Sequence, residues 1–129
     1  FKSKNSTSPV TLNNGSISGG GTPTTVGPKD KFQVPVAILT SNVTASSGEA
    51  TLLSFRGLEN TRTFGQPSAG YASGNMIIDM PDGAGLMVTT ANDVARTGEE
   101  FSEDPIVPDV STDRPEQAAT EWLHSQCGQ

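Results

Sequence analysis

Among the 129 residues, one stretch gathers side chains able to do covalent chemistry: Thr44-Ala45-Ser46-Ser47-Gly48-Glu49. A serine hydroxyl becomes a useful nucleophile when a base takes its proton and when donors receive the charge developing on the attacked carbonyl. A serine where a strand runs into a helix meets the second need, because the first amides of a helix lack intrahelical acceptors and the dipole favours an anion there. On this reading Ser46 is the candidate nucleophile and the backbone N–H of Ser47 the oxyanion donor. This is the logic of a nucleophile elbow without the usual GxSxG sequence. The same residues support a plainer chemistry. Ser46-x-x-Glu49 is a capping box, in which the Ser46 hydroxyl accepts from the N–H of residue 49 and Glu49 reaches back to the Ser46 N–H. Spacing alone does not choose between the two, and they are partly compatible.

The elements needed to place this hydroxyl are legible on either side of it. Gln33 to Thr40 is a continuous apolar run rich in β-branched residues, with the length of a buried strand. After a short turn, Ala50, Leu52, Leu53, Phe55 and Leu58 predict one long helix that closes near Gly57 or Asn60. Thr61 to Phe64 reads as a short strand ended by Gly65. Gln66 to Gly74 is a loop of small residues, and its Tyr71 and Ser73 are candidates for lining a substrate cleft. Asn75 to Met80 and Gly85 to Thr90 form two strands around the turn Pro81-Asp82-Gly83. Asn92 to Phe101 reads as irregular strand or loop, and Ile106 to Val110 as a Pro-bounded extended segment. A final helix has Pro115 in its first turn, with Ala118, Ala119, Trp122 and Leu123 on one face. Residues 1–31 are polar, glycine-rich and loop-like, with a possible hairpin across Asn13-Asn14-Gly15. The fold class is α/β.

Composition removes several functions. The hydrophobic fraction is 33%, and Gly (14) and Pro (9) are abundant, so the core is modest and turns are many. Fourteen acids against eight bases leave a net charge of -6 with the bases scattered, so nucleic-acid binding has no electrostatic footprint. No apolar stretch approaches the roughly 20 residues of a membrane-spanning helix. The single cysteine, Cys127, has no partner for an internal disulfide, and no Cys/His cluster offers a metal site. The acidic run Glu99–Asp104 lacks the spacing of a calcium loop and reads as a solvated loop. No metal or cofactor is expected.

The order of four blocks carries more than any one of them. Pro35-Val36-Ala37-Ile38-Leu39 followed by Thr44-Ala45-Ser46-Ser47-Gly48-Glu49 resembles the nucleophile segment of the C-terminal processing (tail-specific) serine proteases. Thr63-Phe64-Gly65-Gln66-Pro67-Ser68-Ala69-Gly70 resembles the next block of that family. Met80-Pro81-Asp82-Gly83 with Leu86-Met87-Val88-Thr89-Thr90-Ala91 resembles the third, and Pro105-Ile106-Val107-Pro108-Asp109 the fourth. The resemblance covers about residues 33–110. The Thr-Ala-Ser-Ser form, with Gly-Gln-Pro-Ser-Ala-Gly-Tyr downstream, looks most like the nisin-resistance branch, whose members are membrane-anchored extracellular proteases of Gram-positive bacteria that cut a lanthipeptide near its tail.

The resemblance implies a ClpP/crotonase-like core, with residues 32–126 as the C-terminal part of a serine protease catalytic domain. It matches Ser46 to the nucleophile and Ser47 to its oxyanion-donating neighbour. Where the larger branch places a general-base lysine, this chain has Tyr71, and a phenol is a poor base at neutral pH. In the nisin-resistance branch the base is a histidine upstream of the nucleophile strand. The only histidine here, His124, lies beyond the last block in the final helix, is expected to face solvent, and is not assigned as the base. The expectation is a serine peptidase acting near polypeptide C-termini through an acyl-enzyme, with its base outside this chain and the chain inactive alone. A peptide is the expected substrate, and any membrane contact is through an N-terminal anchor outside this chain. A non-catalytic peptide- or lipid-binding module on the same fold is the alternative.

Overall fold

A computed structural model describes residues 33–127 together with four short strands nearer the start: β1 (Lys2–Ser3), β2 (Thr11–Asn13), β3 (Ser16–Ser18) and β4 (Thr24–Thr25). The order then continues β5 (Val36–Thr40), α1 (Ser47–Phe55), β6 (Thr61–Gly65), β7 (Ser73–Asp79), β8 (Gly85–Val94), β9 (Glu100–Phe101), β10 (Val110–Ser111) and α2 (Pro115–Cys127). The architecture is mixed α/β, as expected. β2 and β3 pair antiparallel, with Leu12 opposite Ile17. Within the loop-like region expected over residues 1–31, the stretch Gly19-Gly20-Gly21 lies outside the described residues.

Two sheets frame the candidate site. β5, β6 and β10 form a parallel sheet in the order β10-β6-β5, with Ile38 opposite Thr63 and Thr40 opposite Gly65. β5 to β6 is a parallel connection, so it needs a crossover, and α1 supplies it. The second sheet is a long antiparallel hairpin, β7 with β8, joined on the far side of β8 by β1 and near its end by β9. Its two-strand register runs from Ser73 opposite Asn92 to Asp79 opposite Gly85, with an irregularity between Gly74 and Asn75.

The core lies where α1 meets the second sheet. Leu52 and Leu53 from the buried face of α1 pack with Ala72, Ala95 and Ile106, and Ile38 and Phe101 close the edges. Helix α2 covers the other side, against β5 and β6, with Ala119 buried and Trp122 tilted against Phe64 at 5.8 Å between ring centroids. The apolar face read from the sequence is therefore the one α2 packs with.

Two expectations need correction. The apolar run before Ser46 is not a fully buried strand: β5 is shorter, Leu39 is 46% exposed and Thr40 is its one buried residue. The reason is position, because β5 is an edge strand with β6 on one side only among the described residues. Nor is the helix after Ser46 long. It has nine residues and stops at Phe55, because Arg56 leaves helical geometry at φ -59°, ψ 128° and Gly57 turns the chain back at φ 81°. A Cβ at Gly57 would meet Thr97 Cγ2 at 2.7 Å, so the left-handed conformation and the close approach both favour glycine there.

Candidate active site

The chain leaves β5 at Thr40 and is folded back at once. Thr44 N–H donates to Ser41 O at 2.9 Å, and Ser41 N–H donates to the Thr44 hydroxyl at 3.0 Å. A second tight turn follows, closed by Gly48 N–H to Ala45 O at 2.9 Å. Ser46 is the first central residue of that turn, with φ 51° and ψ -112°. These are the angles of the first central position of a type II′ turn, a place that glycine ordinarily fills. Ser46 is the one non-glycine residue with positive φ among the described residues. Backbone strain of this kind costs about 1–3 kcal/mol and persists where the surroundings over-determine it.

The strain has a geometric result. Ser46 is exposed, its carbonyl accepts the first helical bond from Ala50 N–H at 2.9 Å, and its side chain projects at the corner instead of continuing the strand. Ser47 opens α1, is also exposed, and has an amide in the first turn of the helix, where no intrahelical acceptor exists. The expected strand-to-helix placement of both serines is therefore present.

What holds the turn is Glu49. Its side chain is 0% exposed. The Ser46 N–H donates to its Oε2 at 2.8 Å, which is the expected half of the capping box. The other half is looser: the Glu49 N–H and the Ser46 hydroxyl complete the box in outline without meeting the geometry of a cap hydrogen bond. Three further donors converge on the same carboxylate. Tyr71 N–H gives 2.8 Å to Oε2, Gly70 N–H gives 2.8 Å to Oε1, and the Ser68 hydroxyl gives 2.5 Å to Oε1. Ser68 Oγ in turn accepts from Ile106 N–H at 2.8 Å, so its proton points at Glu49. One carboxylate thus ties the Ser46 turn, the loop of small residues and the segment at Ile106 together. Ala69 N–H to Thr44 O at 2.8 Å and Ser68 N–H to Ile106 O at 3.1 Å add to the seam.

Glycine is required where this loop closes. Gly70 has φ 85°, and a Cβ there would sit 2.7 Å from Glu103 O. A second buried carboxylate lies nearby. Asp93, 4% exposed at the end of β8, has its pKa pushed up by burial and, in smaller part, by the negative charge of Glu49. Its Oδ1 has no hydrogen-bond partner among the described residues.

The other sequence candidates fall at different distances from this corner. Tyr71 is joined to Ser46 through the shared Oε2, while its ring is 62% exposed. Ser73 is one step further along, half-buried at the start of β7, with its N–H on Tyr71 O at 2.9 Å. His124 is exposed in the last turn of α2. Sequence reasoning read Glu49 as a cap and did not see its role as a hub. A capping box takes Glu or Gln alike, so the motif gives no sign that four donors would meet there. Among the described residues no group of three His, Cys, Asp or Glu converges to hold a metal.

A strained serine at a strand-to-helix corner, inside a parallel β-α-β unit, defines a class. Residues 2–112 match the model of Peptidase family S41, and the chain belongs to that family. It is 40% identical over 119 residues to a nisin-resistance protein of Lactococcus lactis subsp. lactis, covering 92% of this chain and 37% of that protein. A solved lipoprotein from Streptococcus agalactiae shares 44% identity at a TM-score of 0.68, over 74% of this chain and 33% of that one. The photosystem II D1 C-terminal processing protease shares 26% identity at a TM-score of 0.56, over 65% of this chain and 22% of that one. The chain therefore spans about a third of the length of the first two relatives. Mature CPAF, at 15% identity and a TM-score of 0.53 over 69% of this chain and 18% of that one, shares the fold.

Proposed function

We propose that this chain carries the nucleophile of a serine peptidase that cleaves near polypeptide C-termini, and that residues 32–126 form the C-terminal part of its catalytic domain. The observation that carries the reading is Ser46: exposed, at φ 51°, on the corner between β5 and α1. In the proposed reaction the Ser46 Oγ attacks the scissile carbonyl carbon while a base takes its proton. The carbonyl oxygen, now an anion, receives the Ser47 N–H. Collapse of this intermediate breaks the C–N bond, the leaving amine takes the proton, and water then hydrolyses the Ser46 ester. Tyr71 and Ser73 border the path on which an extended peptide would lie.

The base belongs to a segment outside this chain. Tyr71 stands where a lysine base would stand in the larger branch of the family, and His124 sits at the far end of α2. The relatives that support the reading are a D1 C-terminal processing protease, for the type of cleavage, and a nisin-resistance protein and a lipoprotein, for an extracellular, membrane-anchored place in a Gram-positive bacterium. No helix among the described residues is long and apolar enough to cross a membrane.

A fluorophosphonate probe applied to the full-length protein tests the proposal. Labelling lost in Ser46→Ala is the expected result. Labelling retained in that variant points to another serine, and a wild-type protein that never labels favours the non-catalytic binding module.

A further inference from the structure

We propose that Glu49 is a positioning residue for the Ser46 reaction, beyond its part as a helix cap. The inference rests on the serine-peptidase reading. Its ground is the convergence of four donors, the Ser46, Gly70 and Tyr71 amides and the Ser68 hydroxyl, on one fully buried carboxylate.

Capping does not account for this arrangement. A capping-box glutamate needs one bond, to the N-cap amide, and glutamine serves as well. A cap at a helix end exposed to solvent does not require burial, and taking a carboxylate fully out of water is costly unless hydrogen bonds replace its hydration. Here they do, and all four partners are donors. A glutamine in the same place would present its NH₂ to two of them, so the acceptor-only carboxylate is specified by its surroundings.

The bonds also fall in a pattern that bears on the reaction. Oε2 is shared by the Ser46 amide and the Tyr71 amide, so the nucleophile's backbone and the loop bordering the cleft lie within two hydrogen-bond lengths of each other. Oε1 holds Gly70 and Ser68, and Ser68 holds Ile106. The carboxylate thereby opposes relaxation of Ser46 from positive φ and keeps the attacking oxygen in register with the loop. Without that bond the turn can move to an ordinary backbone conformation, and a displacement of about 1 Å at a reacting atom is enough to cost about 100-fold in rate.

The test compares wild type, Glu49→Gln and Ser68→Ala in the full-length protein. Three quantities are read: the amplitude of fluorophosphonate labelling, its second-order rate constant, and amide hydrogen exchange at Ser46, Gly70 and Tyr71. A purely structural residue lowers the amplitude, because fewer molecules are folded, and leaves the rate constant of the folded ones unchanged. A positioning residue does the reverse. The expected result for Glu49→Gln is a rate constant about 100-fold lower, with faster exchange at those three amides and unchanged exchange across β5 and β6. If Glu49→Gln does not fold, Ser68→Ala decides the matter, since it removes one donor and keeps the Oε2 clamp. Its rate constant is expected to fall about 3- to 10-fold at full amplitude. An unchanged rate constant in a folded Glu49→Gln, or in Ser68→Ala where that variant is the only one to fold, overturns this inference alone. A wild-type serine that never labels overturns the peptidase reading and this inference with it.

Discussion

The Ser46 corner and the β7–β8 hairpin are built on opposite principles. At the corner, backbone and side-chain donors from two separate segments, the Ser46 turn and the loop from Ser68 to Tyr71, converge on Glu49, and a residue at positive φ is tied in place. The hairpin holds its backbone through its own ladder, yet its apolar side chains Met76, Ile77, Ile78, Leu86 and Met87 are exposed, Met87 by 66%. Ile77 and Met87 are opposite each other, as are Ile78 and Leu86, so both faces of the hairpin carry apolar pairs. Precision in this molecule comes from polar convergence, and apolar surface alone does not give it. The contrast can be broken or sharpened by substitution.

The largest effect is expected at Gly65→Ala, beneath the corner. Gly65 has φ 131°, and a Cβ there would lie 2.0 Å from the carbonyl oxygen of Thr40. That carbonyl also accepts from Gln66 N–H at 3.1 Å, and the Thr40 hydroxyl donates to Gln66 O at 2.9 Å. No side chain can give way, because the clash is with backbone. The variant should lose more than about 4 kcal/mol, the range reserved for overpacking joined to backbone strain. Urea unfolding of the full-length protein measures it, and a loss under about 1 kcal/mol would show the corner to be less rigid than its bonds indicate.

Core and hairpin should then separate cleanly. Leu53→Ala, in the cluster under α1, is expected to cost about 2–5 kcal/mol. Met87→Ser, on the hairpin, should stay within about 0.5 kcal/mol. Equal losses would mean that the hairpin's apolar pairs are covered in the full-length protein, which would place the hairpin inside an interface.

How much of this was legible follows the same division. The strand-to-helix junction at Ser46, the hairpin around Pro81-Asp82-Gly83 and the final helix with Pro115 in its first turn rest on local signals: period, turn residues, a proline in a first turn. The structure has all three. β5 is less buried than its apolar run implies, because such a run reports what could be buried, while burial depends on which strands stand beside it. The helix is shorter than its apolar spacing implies, because Leu58 continues that spacing past Phe55, where the Arg56 backbone leaves helical geometry and Gly57 turns the chain. The capping box marks Glu49 for one of its donors and is silent on the other three. Three of its four partners lie about twenty residues on, in a block whose small side chains carry no hydrophobic period, and backbone donors leave no mark in a sequence.

A smaller effect tests the electrostatics of the corner. Asp93 is buried with one oxygen unpartnered, and its pKa is raised by that burial and then by Glu49. Above the ordinary aspartate value of 3.8 the unfolded chain has lost a proton that the folded one keeps, so stability falls as pH rises through the interval up to the folded value. Asp93→Asn removes that fall. The variant should gain on wild type as pH rises above 3.8, in thermal melts taken from that pH upward. A constant difference would show that Asp93 has a donor when the full protein is assembled.

The smallest effect is at the end of α1 remote from Ser46. Arg56 makes a two-pronged contact with Glu99, Nε to Oε2 at 2.8 Å and Nη2 to Oε1 at 2.9 Å, and lies over the Phe101 ring at 5.5 Å. The Arg56 hydrogen bonds, then that of the Thr97 hydroxyl, lower the Glu99 pKa from 4.5 to about 2. A lowered carboxylate value stabilises the fold fully above pH 4.5 and loses that contribution as pH falls through about 2. The Glu99 side chain is nearly half exposed, so solvent screens the pair and it contributes about 1 kcal/mol or less. Arg56→Gln should therefore unfold only slightly more easily at pH 7, and its difference from wild type should shrink between pH 4.5 and pH 2. The ring contact and the bond from Nη1 to Val107 O at 3.3 Å are also lost in the variant, but neither depends on pH in that window. The part of the difference that survives below the folded Glu99 value of about 2 measures them, and the part that vanishes measures the ion pair. If Arg56→Gln were to lower the labelling rate of Ser46 as well, the far end of α1 would be coupled to the corner, and rigidity would extend along the whole helix instead of residing in the Glu49 hub.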